Sequence, residues 1–233
     1  LTERLTSILS TVSPKKINKI VYTSSAAVYR LQENINNLKK DEINRELYSS
    51  FKLASEKIVL NYCTKNHVNY YIFRLFNSFG NSQDPFSFIE KIINSKKKNK
   101  KITLINNGNS IRDFIHVNDI GKIYSIFLNK KISNGIYDLG TGNGYLIRDI
   151  VNFINFPNRN IKKINNIKEI YNSVADQDYL QKVIGKYNFK NLEVYLKKKF
   201  NIKNKKLIKP FVNFKNKTRQ SSSGVVIYGA GYA

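Results

Sequence analysis

Short apolar runs alternate along this chain with stretches of helical spacing, and that alternation limits the fold more than any other feature. KIVYT at 19–23, VNYYIFRL at 68–75, KITLI at 101–105, RDFIHV at 112–117 and GIYDLG at 135–140 are β-branched and aromatic runs of strand length. Helical spacing fills the gaps. Residues 3–12 read as the end of a helix. In 48–66, Leu53, Ile58, Val59, Tyr62 and Cys63 form one apolar stripe. Residues 86–100 end in lysines, which suit a helix C-terminus. Residues 118–130 open on Asn118 and Asp119, good N-terminal residues. Residues 146–154 read as a further helix, and 190–200 is amphipathic through Leu192, Tyr195, Leu196 and Phe200. Strands that alternate with helices predict an α/β fold with a largely parallel sheet.

Composition narrows the function classes. With 41% hydrophobic and 12% aromatic residues the chain is not disordered by composition. No apolar run reaches the roughly 18 residues of a membrane helix, and no secretory signal opens the chain. No membrane contact is expected within this segment. Cys63 is the single cysteine, so no internal disulfide is expected and the cytoplasm is the default location. The net charge of +24 admits a nucleic-acid surface. Lysine, asparagine and isoleucine crowd the whole chain together, however, and the lysines do not interleave with aromatics as a stacking platform requires. No nucleic-acid partner is expected; small acidic substrates such as phosphates fit the charge. Two histidines and one cysteine, scattered, give no metal-site spacing, so no metal is expected.

The ends are informative as expectations. The chain contains no methionine, opens on Leu1 and stops inside GAGYA. It is expected to be a window of a longer polypeptide. Residues 201–223 are rich in lysine, asparagine and serine and read as a linker. Residues 224–233, containing VVIYGAGYA, read as the first strand and loop of a second dinucleotide-binding domain.

Chemistry gathers where strands end, since open α/β sheets bind ligands outside the carboxyl ends of their strands. The first apolar run ends in Ser24 and Ser25, the second in Phe76 and Asn77, and Tyr48-Ser-Ser-Phe-Lys52 lies between them. Tyr48 and Lys52 are four apart and share a helix face. A free phenol, with a pKa of about 10, is a poor base at neutral pH. An adjacent ammonium favours the phenolate, which can then exchange a proton with a substrate hydroxyl. A serine hydroxyl at a strand end can hold the same oxygen. On its own the Tyr/Lys spacing also fits an exposed helix pair; Ser25 upstream strengthens the catalytic reading.

KIVYTSSAAVY, YSSFKLASEKIV, YIFRLFNSFG, IRDFIHVNDI and GIYDLGTGNG, in this order over about residues 1–200, resemble the extended short-chain dehydrogenase/reductases. More narrowly they are similar to the NAD-dependent nucleotide-sugar epimerases and dehydratases. The resemblance implies a partial Rossmann-like, doubly wound parallel sheet with a small substrate-binding region, truncated at its N-terminal side, over residues 1–200. It implies NAD as cofactor and a nucleotide sugar as substrate. Tyr48 would be the acid/base, and Lys52 would lower its pKa and hold the nicotinamide ribose. Ser25 would bind the reacting sugar hydroxyl, Ser24 falls on the cofactor side, and Phe76 would lie by the nicotinamide. Asn77 would contact the sugar diphosphate and Arg112 a phosphate. Asn77 also fits a strand-end turn residue, and Arg112 a salt bridge to Asp113. His116 reads as a packed core histidine and His67 as a loop residue after the helix. GTGNG at 140–144 follows a strand but has Tyr145 where G-x-G-x-x-G needs its third glycine, so it is not expected to hold the cofactor. A homodimer through 1–12 and 48–66 is an implied partner.

The departures matter too. The family's Gly-rich loop and ribose-binding acid lie upstream of this chain, so the segment alone is expected neither to bind NAD tightly nor to turn over. Arg30 and Asn81 replace the family's usual glycine and proline, and 162–168 offers lysines where a second arginine is common. A dehydratase needs carboxyl groups beside the serine; here those positions are Ala26 and Ala27. A C4 epimerase needs none and is the favoured activity, in surface polysaccharide precursor synthesis. A dehydratase or ketoreductase of the same family, and a non-catalytic sugar-nucleotide-binding or scaffold module, are the alternatives.

Overall fold

The computed structural model describes residues 2–32, 40–80, 87–165 and 170–203. Asn81, the region read as a linker from 204 onward and the strand and loop read at 224–233 lie outside the described residues.

Three of the expected strands form one parallel sheet in the order β1 (Lys19–Ser25), β2 (Asn69–Leu75), β6 (Gly135–Leu139). The register sets Val21 beside Tyr71, Phe73 beside Tyr137, and Ile72 beside Ile136. Side chains alternate between the two faces of a strand, so both faces of this apolar sheet need cover. On one face Tyr71, Phe73, Tyr137 and Leu139 pack against Ile123 and Phe127 of α4 (Val117–Asn129) and Leu180 of α6 (Asp178–Ile184). On the other, Ile72 packs against Val59 and Cys63 of α2 (Lys40–Asn66), with Leu5 of α1 (Thr2–Thr11) at the margin. Helices on both faces of a parallel sheet make this a Rossmann-like α/β layer. Lys19 ties its first strand to α4, donating to the carbonyls of Leu128 and Lys130 at 2.8 Å each, where a cation complements the helix C-terminus.

A second lobe grows from the carboxyl end of β2. It contains β3 (Asn77–Phe79), α3 (Phe88–Lys97), β4 (Ile102–Ile105), β5 (Ile111–His116), β7 (Gly144–Leu146), α5 (Ile147–Phe153), β8 (Ile161–Ile164), β9 (Asn172–Ser173) and α7 (Leu192–Phe200). β5 pairs in parallel with β3 and β9 and antiparallel with β7, while among the described residues β4 pairs only with β8. Phe79, Ile92, Phe114, Ile150 and Leu196 are central to its core. β5 runs directly into α4, so the strand of one lobe delivers a helix to the other. No described helix is long and apolar enough to cross a membrane.

α7 docks Leu192 and Leu196 into this core, and its first turn is capped by Asn191, whose side chain accepts from the N–H groups of Glu193 and Val194. Asn191→Ala is expected to cost about 1 kcal/mol, the ordinary value of an N-cap, read as a lowered urea midpoint. An unchanged midpoint would mean that α7 is held by its apolar face alone.

Candidate active site

The carboxyl end of β1 is where the site begins. Ser25 closes the strand, and the chain turns at once into a 3₁₀ helix over Ala26–Gln32. The Ser25 Oγ accepts from the N–H of Ala27 at 3.2 Å. That contact uses one acceptor lone pair and leaves the O–H to donate to a ligand. α2 packs along β1 and this turn. Lys52 of α2 donates from Nζ to the carbonyl of Thr23 at 2.8 Å, and its ammonium lies 5.3 Å from the Tyr22 ring and 5.9 Å from the Tyr48 ring. One turn earlier on the same face, Tyr48 is 50% exposed. The strand tip, the ammonium and a solvent-facing phenol are thus gathered at one end of β1. Burial pulls the pKa of Lys52 down, and the nearby Glu56 carboxylate pulls it back up.

The other expected residues separate. Ser24 does not share Ser25's side: it is buried, and its hydroxyl donates to Glu56 Oε1 at 2.5 Å. Period-2 alternation along the strand turns its side chain toward α2 and away from that of Ser25. Phe76 is buried just beyond β2, with its N–H donating to the carbonyl of Leu139 at 3.0 Å. Asn77 opens β3 and donates from Nδ2 to the carbonyl of Asp113 at 2.9 Å, so it ties β3 to β5 within the second lobe. Arg112 lies on β5, in register with Tyr145 and Ser173, and its Nη1 donates to the carbonyl of Ile111.

Asp113 is the residue that sequence reasoning undervalued. It is 0% exposed and is spent on the loop after β6 rather than on its neighbour Arg112. Its carboxylate accepts from the N–H and Oγ1 of Thr141, the N–H of Gly142 and the N–H of Ala175. The donors that a phosphate would use in GTGNG therefore already serve a carboxylate. The glycines fit this role: a Cβ on Gly140 would come within 2.6 Å of both Asp113 Oδ2 and Ala175 Cβ, and Gly142 has φ +73°. Burial raises the pKa of Asp113 to about 6, against the downward pull of these hydrogen bonds.

His116 also needs correction. It is half-buried at the N-terminus of α4, where its Nδ1 accepts from the N–H of Asn118, and its ring meets Phe79 edge-on at 5.1 Å. The helix begins at Val117, so His116 rather than Asn118 is its cap. His67 follows α2 with φ 55°, a turn position.

A buried polar chain beside the site was missed as well. Glu56 accepts from Ser24 and from both Nε and Nη2 of Arg74, at 3.1 and 2.8 Å. The Arg74 guanidinium lies 4.7 Å from the Tyr29 ring centroid, and Tyr29 donates to Asp138 at 2.5 Å. One signal was present: Arg74 interrupts the apolar run YYIFRLF, and a charge inside a buried strand needs a partner. Among the described residues, no group of three or more His, Cys, Asp or Glu is arranged to hold a metal.

Residues 1–140 match the family model described as NAD dependent epimerase/dehydratase family. The chain belongs to that family. It is 28% identical over 146 residues to a dTDP-D-glucose 4,6-dehydratase of Dictyostelium discoideum, covering 58% of this chain and 34% of the relative. It is 28% identical over 152 residues to a putative UDP-glucose 4-epimerase of Methanocaldococcus jannaschii, covering 63% of this chain and 49% of the relative. The chain thus spans about a third to a half of these two members. Among solved structures, UDP-glucuronic acid 4-epimerase from Bacillus cereus, in complex with UDP-glucuronic acid and NAD, shares the fold. Its TM-score is 0.71 at 20% identity, over 86% of this chain and 66% of that one. Family membership makes this chain a relative of NAD-dependent sugar-modifying enzymes, both epimerases and dehydratases.

Proposed function

We propose that the intact protein is an NAD-dependent nucleotide-sugar C4 epimerase acting in surface polysaccharide precursor synthesis. The residues at the tip of β1 suit the nicotinamide end of the cofactor. Lys52 spends one of its three N–H donors on Thr23, which leaves two for a ribose diol. Phe76, buried just beyond β2, is the apolar residue assigned to the nicotinamide. The chemistry that NAD would supply there is reversible hydride acceptance at the sugar C4. Tyr48 takes the proton of the C4 hydroxyl as general base and gives it back as general acid. Ser25 donates to the same oxygen and fixes its position. Lys52 keeps positive charge beside the phenol. Asn77 and Arg112, at the entry to the second lobe, contact the diphosphate. A second copy of the chain, packed through α1 and α2, is the proposed partner; Ile8 and Phe51 are large exposed apolar side chains on those helices.

The observation that carries epimerase over dehydratase is the turn after Ser25. Loss of water across C5 and C6 needs carboxyl groups to move two protons, and the turn presents Ala26 and Ala27. Epimerisation needs only that the keto sugar rotate and receive the hydride on its other face. The test supplies the intact protein with NAD and either UDP-galactose or UDP-glucuronate and follows the sugar by NMR. Inversion at C4 is expected. Formation of a 4-keto-6-deoxy sugar from a dehydratase substrate such as dTDP-glucose would contradict the reading.

A further inference from the structure

We propose that the end of the second lobe where α3, α5 and α7 all terminate is a docking surface for an anionic lipid bilayer. This surface stands whether or not the site at β1 performs epimerisation.

Three contacts assemble it. The Lys96 ammonium, near the end of α3, donates to the carbonyl of Ile154, the C-cap of α5. The same ammonium lies 4.9 Å from the ring centroid of Phe200, the last residue of α7. The side-chain amide of Asn160 donates to that of Asn99 at 2.6 Å, which ties the loop after α3 to the start of β8. Register sets Ile161 of β8 beside Ile102 of β4, so both strands begin there. Segments distant in sequence thus bring their cations to one end of the lobe. Lys97 and Lys98 come from the end of α3, Lys100 and Lys101 from the loop before β4, Arg159 from the turn before β8 and Lys198 from α7. All six are exposed.

A lysine-rich chain scatters cations everywhere, so what marks this end is its lack of anions. Residues 91–112, 150–165 and 194–203 contain no Asp or Glu, whereas α2 mixes its lysines with Asp41, Glu42, Glu46 and Glu56. The acids of the three helices stand in their first turns, as Glu90, Asp149 and Glu193. The helix ends that meet at Lys96 are therefore the ends without acids. Cations in a last turn offset the helix dipole, but each helix end carries only about half a negative charge. Three such ends leave most of the positive charge without a counterpart. Among the described residues no ion pair engages any of the six.

The type of cation decides between partners. Five of the six are lysines, compact charges on flexible stems without the planar fork by which arginine reads phosphates and base edges. The exposed aromatic side chains among the described residues, Tyr48, Phe51, Tyr171 and Tyr179, lie on other segments, so no base has a ring to stack on. A diffuse positive potential is what a layer of anionic headgroups answers, and each basic residue near such a layer adds to the affinity. The lack of an apolar span excludes a membrane-crossing helix among the described residues. It does not bear on a contact made by charge at the membrane surface.

The experiment sediments the intact protein with large unilamellar vesicles, either phosphatidylcholine alone or equal parts phosphatidylcholine and phosphatidylglycerol. Binding to the anionic vesicles only, at about 0.1 M salt and lost at about 1 M, is expected. Lys97→Gln/Lys98→Gln/Lys100→Gln/Lys101→Gln should weaken it about 10²–10³-fold, since each basic residue near an anionic surface counts for roughly fivefold. Arg159→Gln/Lys198→Gln, which leaves the loop after α3 untouched, should weaken it roughly twentyfold. Lys15→Gln/Lys16→Gln/Lys122→Gln/Lys131→Gln removes as much charge as the first variant from exposed positions of the first lobe and should cost less than about fivefold. All the altered residues are exposed, so the variants should melt with the wild type. Equal losses in the two fourfold variants would mean that net charge alone drives adsorption, and would overturn the proposal. So would a failure to bind anionic vesicles at the lower salt. Tighter binding to a random-sequence DNA duplex than to vesicles of equal phosphate content would overturn it too, and would give the surface to nucleic acid.

Discussion

Tyr48→Phe is expected to lower kcat for C4 inversion by about 10²–10⁴-fold, the range lost when a positioned acid/base is removed. The substitution deletes one oxygen and keeps the ring. Tyr48 is half exposed, so the loss of its hydroxyl orphans no buried partner. The thermal midpoint should therefore stay where it is, and so should KM, because the phenol acts on the reacting hydroxyl rather than on the diphosphate. Steady-state kinetics with UDP-galactose and UDP-glucuronate, read beside a melting curve, separate these effects. Equal turnover by wild type and variant would remove Tyr48 from the chemistry. A parallel fall in kcat and melting temperature would make its role structural.

Asp113→Ala carries the largest expected loss of stability, about 3–5 kcal/mol, because several buried donors lose their acceptor together at roughly 1–3 kcal/mol each and not additively. The N–H groups of Thr141, Gly142 and Ala175 and the Thr141 hydroxyl would all be orphaned. The loop over Gly140–Gly142 and the segment at Ala175 are otherwise tied to β5 only through the neighbouring ladders of β7 and β9 among the described residues. Urea unfolding at pH 7 measures the cost. The pH dependence is a second signature. Burial raises Asp113 to about 6 in the folded state, above its unfolded value of about 3.9. The folded protein therefore binds this proton more tightly, and the group's contribution is full below pH about 4 and lost as pH rises through about 6. The stability gap between wild type and variant should widen on going from pH 7 to pH 4. A cost under about 1 kcal/mol, with a gap that narrows on acidification, would show that the loop is held by something else.

The strands that carry the site were legible because they are apolar on both sides. YYIFRL and GIYDL lie between helices on both faces, KIVYT is half-buried beside them, and a run without polar alternation is what such strands need. α2 was legible only from Tyr48, where its apolar stripe begins; it starts at Lys40 in a stretch of charged residues that periodicity cannot read. β3, β7 and β9 are two or three residues long and owe their existence to β5 between them, so no local pattern announces them. Tyr48, Lys52 and Ser25 could be named from spacing because one helical turn and one strand end fix them. The bond from Ser24 to Glu56 was not legible, because a pair of serines does not say which of the two faces α2; the strand alternation decides that. Glu56 and Asp113 are charged residues that look exposed in sequence. Their burial depends on Arg74 and on the Gly140–Gly142 loop, both distant along the chain.

The most direct test follows the hydrogen on the sugar C4. The intact protein is given UDP-galactose carrying deuterium at that carbon, with NAD, in ordinary water, and the product is examined by NMR. Inverted sugar that keeps its deuterium at C4 is the expected result, since the hydride leaves and returns while Tyr48 handles only the hydroxyl proton. Inverted sugar with protium at C4, or no conversion of this or any other nucleotide sugar, would contradict an acid/base site built from Ser25, Tyr48 and Lys52.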